Sequence, residues 1–112
     1  MAVKLSPLLL IHGAEDALAD RALQQALAER KDFERTNLDG VEIELGRFAE
    51  AVAPSLFSEL RIVILRNLQD VSSEVGEEIL IELSNLTLDE SSTMHLVFLH
   101  RSEEHTSELQ SH

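Results

Sequence analysis

A chain of 112 residues suffices for one small domain, which would bury roughly 60–70% of its unfolded surface. Hydrophobic residues make up 44%, a globular rather than a disordered level, and with four Phe and no Trp or Tyr there is no aromatic platform for stacking single-stranded nucleic acid. Nine Lys and Arg against 21 Asp and Glu leave a net charge of −12, which repels phosphate backbones, and the lack of Cys excludes disulfides and thiolate metal sites.

The first apolar run, Leu8 to Ile11, is too short to cross a membrane and has no signal-peptide pattern before it, so a cytoplasmic location is the default expectation. It reads as a strand, and so do Ile62 to Leu65 and Leu96 to Leu99. Continuously apolar strands of this kind are expected where a parallel sheet is covered on both faces. Phe33 to Leu38 is mostly polar and reads as an edge strand closed by the turn Asp39-Gly40.

Helical patterns fill the gaps. Leu18, Ala22 and Ala26, with Leu23 and Leu27, form a stripe after Gly13. Leu45, Phe48, Ala49 and Val52 share one helix face before Pro54 stops the helix. Val75, Ile79, Leu83 and Leu86 make a third stripe, with Ser72 or Ser73 as N-cap and Glu74 in the first turn. Alternating strands and helices predict an α/β fold: a parallel sheet with right-handed crossovers and helices on both faces.

The stretch LLLIHGAEDALADRAL, from Leu8 to Leu23, has the outline of a phosphate-binding loop. Such a loop needs a second glycine, a lysine for the outer phosphates and a Ser or Thr for the metal. Counted from Gly13, those places hold Leu18, Ala19 and Asp20. Glu15, Asp16 and Asp20 would outweigh the roughly half positive charge of a helix N-terminus. Arg66-Asn67 follows the third strand where an ATPase carries Asp-Glu. The motif is therefore read as structural: Gly13 lets the chain turn, its substitution should damage folding, and the acids cap the helix.

The remaining constellations are weak. HRSEEH, from His100 to His105, misses the H-x-x-E-H spacing by one residue. His12 and His95 read as polar strand ends, and Asp89-Glu90 as a solvated loop. No Gly-x-Ser-x-Gly turn is present to activate a nucleophile. Neither a metal nor a cofactor is expected.

LLLIHGAEDAL, NLDG and SLFSELRIVILRN, in this order and at these separations, resemble the N-terminal domain of the delta subunit of the bacterial DNA polymerase III clamp loader. The likeness covers Pro7 to His100, with residues 1–6 as a lead-in. It implies an AAA+-like, P-loop-type sheet with a degenerate nucleotide site. It also implies a subunit that binds the beta sliding clamp and opens the ring without hydrolysing ATP itself. Its further partners would be the gamma/tau ATPase and delta-prime subunits, with DNA met only indirectly and no membrane. The family contacts the clamp through a Leu-Phe pair before the third strand, and the matching residues here are Leu56 and Phe57. An exposed aliphatic–aromatic pair on a short loop suits an interface hot spot. The plainer role for the pair is to seal the second helix over the sheet. Two other functions stay open beside the delta reading: a nucleotide-dependent enzyme with a diverged P-loop, and an acidic α/β interaction domain of unknown partner.

Residues 101–112, RSEEHTSELQSH, depart in composition and resemble the in-frame translation of a DNA-sequencing adapter. They are read as a non-native or disordered tail that replaces the family's fifth strand, lid and collar. The first strand would then be an uncovered apolar edge, and the isolated chain poorly soluble.

Overall fold

A computed structural model of the chain describes residues 7–13, 16–53, 60–86 and 93–101. The elements are β1 (Leu8–Gly13), α1 (Asp16–Ala28), β2 (Glu34–Asp39), α2 (Arg47–Ala51), β3 (Arg61–Arg66), a 3-10 turn (Leu68–Asp70), α3 (Ser73–Asn85) and β4 (Met94–Arg101). The predicted alternation is present in full. The four strands form one sheet in the order β1-β4-β3-β2. All three pairings are parallel, with Leu10 opposite Phe98, Leu65 opposite Phe98 and Leu38 opposite Leu65.

Two apolar layers sandwich this sheet. On one face Ile62, Ile64, Val97 and Leu99 pack with Leu23 and Leu27 of α1. On the other, Val63, Leu65, Leu96 and Phe98 pack with Phe48, Ala51 and Val52 around α2 and with Val75 and Ile79 of α3. Alternate residues of β3 and β4 thus feed opposite layers, which explains why these two strands are apolar without interruption. Each such side chain taken out of water contributes about 1.5–3 kcal/mol.

β1 departs from that expectation. Its burial alternates, with Leu8 and Leu10 exposed at 43% and 59%. Leu9 and Ile11 face the α1 layer, whereas Leu8 and Leu10 border an apolar groove with Ile79, Leu80 and Leu83. The strand is at the sheet's margin, where α3 covers only part of the second face. β2 holds the other margin, as its polarity indicated.

The helical stripes shift too. Leu18 is 57% exposed, and the buried face of α1 runs through the half-buried Ala19 to Leu23, Ala26 and Leu27. Leu45 is 59% exposed because it precedes α2, cut off by Gly46 in the left-handed region at φ +90°. The buried residues here are Phe48, Ala51 and Val52. In α3 the stripe holds: Val75 and Ile79 are buried, and Leu83 and Leu86 pack against them half-buried. Ser72, not Ser73, is the cap, its Oγ accepting from the Val75 N–H at 3.2 Å.

Candidate functional site

In a parallel sheet all the strand C-termini lie at one end, and ligands of such folds bind there. Here that end holds a crevice of about 270 Å3 lined by Gly13, Ala19, Asp20, Arg66, Asn67, Leu99, His100 and Arg101. Three of the four positions compared with a phosphate loop thus meet in it, namely Gly13, Ala19 and Asp20; Leu18 points elsewhere into solvent. Asp20 is 3.5 Å from the Arg66 guanidinium, an exposed ion pair of small energetic weight. A carboxylate therefore occupies the place of the metal-binding hydroxyl, and the nearby arginine is engaged by it.

Gly13 closes β1 opposite Arg101. Among the described residues a Cβ added there would meet nothing within 4 Å, and its φ is not positive. The crowded glycine is Gly40, where a Cβ would collide with the Asn67 carbonyl oxygen. Asn67 is itself left-handed at φ 58°, a conformation its short amide tolerates. It donates from Nδ2 to Asp39 Oδ1 at 3.0 Å, and the Val41 N–H donates to the same oxygen at 2.9 Å. The Asn67 bond and then the Val41 bond hold the Asp39 carboxyl below its usual pKa; burial opposes them, and the nearby Arg66 adds the smallest lowering effect. The NLDG turn is thereby locked to the end of β3.

The histidines divide. His12 and His100 lie ring to ring at 4.9 Å on adjacent strands. His95 is not a polar strand end: it is 2% exposed and its Nδ1 accepts from Arg30 Nε at 2.8 Å. Arg30, 3% exposed, also donates to the Ala26 carbonyl, and Phe33 packs on the His95 ring at 4.6 Å. Burial lowers the Arg30 pKa, with Glu29 opposing. Among the described residues no group of three His, Asp or Glu side chains could hold a metal ion, and no helix is long and apolar enough to cross a membrane. Asp89, Glu90 and the residues after Arg101 in HRSEEH lie outside the described residues.

The residues that flank the candidate contact lie at the opposite end of the sheet. Leu56 and Phe57 lie outside the described residues, and their flanks are Ala53 and Leu60. Leu60 accepts from the Glu34 N–H at 2.8 Å, and the Arg61 N–H donates to Thr93 at 2.7 Å. The Arg61 guanidinium donates to the Ala51 carbonyl at 3.3 Å and also to the Ala53 carbonyl. Sequence reasoning passed over Arg61, although a lone cation opening an apolar strand is a visible signal. It passed over Glu78 as well, whose carboxylate accepts from the Gly46 N–H at 2.6 Å and the Ala49 N–H at 3.0 Å.

Order, pairing and this crevice define a small parallel α/β domain in which an ion pair stands at the phosphate-loop position. The family model for DNA polymerase III, delta subunit, matches residues 7–111, and the chain belongs to that family. Its role is accordingly in DNA replication, as a component of the DNA polymerase III clamp loader. No curated protein and no solved structure matched the chain.

Proposed function

We propose that this chain binds the beta sliding clamp through Leu56 and Phe57 and holds one interface of the ring open. ATP hydrolysis comes from the gamma/tau subunits, which act with delta-prime, and the assembly works in the cytoplasm at the replisome. The observation that carries this reading is membership of the delta family over residues 7–111. The sheet order β1-β4-β3-β2, with helices on both faces, supports an AAA+-type fold. The Asp20–Arg66 pair in the strand-end crevice supports a nucleotide site without function. The same pair speaks against a diverged P-loop enzyme, and membership of a replication family against an acidic domain of unrelated partner.

The experiment is a titration of the chain with the clamp of the same organism, beside an ATP titration. Hot-spot residues contribute about 2 kcal/mol or more each, so Leu56→Ala with Phe57→Ala should weaken clamp binding roughly a thousandfold without changing the thermal melt. Unchanged affinity in the double variant overturns the proposal. Saturable micromolar ATP binding would restore the enzyme reading.

A further inference from the structure

We propose that His12 and His100, on strands β1 and β4, form a two-histidine site for a late first-row divalent cation such as Zn2+. The site is independent of the clamp contact.

The sheet register carries the pairing. β1 and β4 run parallel, and His12 stands directly opposite His100. Residues in register on neighbouring strands project to the same face. His12 shares its face with Leu8 and Leu10, and His100 shares it with Leu96 and Phe98. The two rings lie side by side, with centres 4.9 Å apart and planes inclined by 37°. Zn–N bonds are about 2.0–2.1 Å long, so two imidazoles on one tetrahedral ion have ring centres roughly 5 Å apart. The backbone therefore already supplies the separation that a shared ion requires.

One ring nitrogen is also unpartnered. Nδ1 of His100 is enclosed and has no hydrogen-bond partner among the described residues. A buried polar atom without a partner is costly, and an ion is one of the ways in which such an atom is satisfied. His12 is exposed, and His100 is half-buried at the strand-end crevice, so an ion in solution can reach the pair. His95 does not take part, because it is buried and its Nδ1 accepts from Arg30.

The donors set the class of ion. Neutral imidazole suits Zn, Ni and Cu, whereas Ca and Mg call for oxygen ligands. Among the described residues no third His, Asp or Glu completes the group, so water fills the remaining positions and the ion exchanges. The net charge of −12 draws cations towards the surface. An ion held by both rings joins β1, at the margin of the sheet, to β4, and its binding adds to the stability of the fold.

The test is a calorimetric titration of the full chain with ZnCl2 at neutral pH, with thermal melts in the ion and in a chelator. His105 and His112 lie outside the described residues, so the measurements are repeated in a His105→Asn/His112→Asn background. That background should still bind one equivalent of Zn2+ and melt higher with the ion than with the chelator. His12→Asn and His100→Asn, each placed in it, should weaken binding at least about tenfold, since even the outer partners of metal ligands contribute about 10–100-fold. Each should also lose most of the Zn2+-dependent rise in the melt. His12 is exposed, so His12→Asn should melt like its parent in chelator and decides the matter if His100→Asn is less stable. Unchanged Zn2+ affinity in His12→Asn overturns the proposal. Loss of all binding in the His105→Asn/His112→Asn background overturns it too, because those two residues then hold the ion. An equal response to MgCl2 overturns the class of ion.

Discussion

Single residues here are defined by partners distant in sequence. His95 follows Met94 at the start of an apolar strand, so its pattern suggests a polar end. Its partner Arg30 is 65 positions away, and the bond requires a neutral, unprotonated Nδ1. Asp39 illustrates a consequence for pH. Its carboxyl pKa lies below the unfolded value because Asn67 and Val41 donate to the ionised form. Its contribution is therefore fully present above the unfolded carboxylate range and is lost as pH falls through the lower, folded value. In denaturant titrations, wild type should exceed Asp39→Asn by a constant margin above about pH 5, and the margin should shrink below about pH 4. A margin that grows on acidification would contradict the assignment.

At the scale of elements, the difference between pattern and fold lies in what covers each face. The α1 stripe is legible as a stripe, but Leu18 and Leu23 cannot both face the sheet, and the sheet selects the face through Leu23. α2 shows more. Five residues are too few to be stable alone, and Gly46 supplies no side-chain cap. Glu78 of α3 performs that service from 32 positions away, bonding the N–H groups of Gly46 and Ala49. A carboxylate there also suits the helix dipole. Glu78→Ala should cost about 1–2 kcal/mol in denaturant unfolding, the range of a lost N-cap. Glu78→Gln should cost less, since its amide oxygen can still accept one of the two bonds. Equal losses in both variants would show that charge alone matters. Arg61 performs the matching service at the other end of α2, so both ends of this short helix are satisfied by other elements.

The whole molecule is governed by charge and by the two ends of its sheet. With 21 acidic and nine basic residues, self-repulsion opposes the compact state. Of the ion pairs that offset it, Arg66–Asp20 and Arg47–Glu50 are exposed and weak, and Arg30–Glu29 is long at 3.8 Å with its carboxylate in solvent. Salt should therefore stabilise the protein: at neutral pH, raising NaCl from about 20 mM to about 500 mM, which shortens the screening length well below 10 Å, should raise the Tm. A falling Tm would mean that attractive pairs dominate. The two sheet ends separate the Asp20–Arg66 crevice from Ala53 and Leu60, the described residues on either side of the segment after α2.

The sequence by itself determined the order of elements and the parallel class of the sheet, and it shows that Leu18, Ala19 and Asp20 stand where a phosphate loop would need glycine, lysine and a hydroxyl. Each of these rests on local information: continuous apolar runs, helical spacing, and residue types of fixed charge at counted positions. The tertiary structure decided which face of α1 is buried, why β1 alternates, that Gly40 rather than Gly13 is the crowded glycine, and that Glu78, Arg61 and Arg30 have structural partners. These depend on contacts between residues roughly ten to 65 positions apart. Such contacts exist only once the parallel sheet has brought strand ends and helix ends together, and no pattern read along one segment contains them.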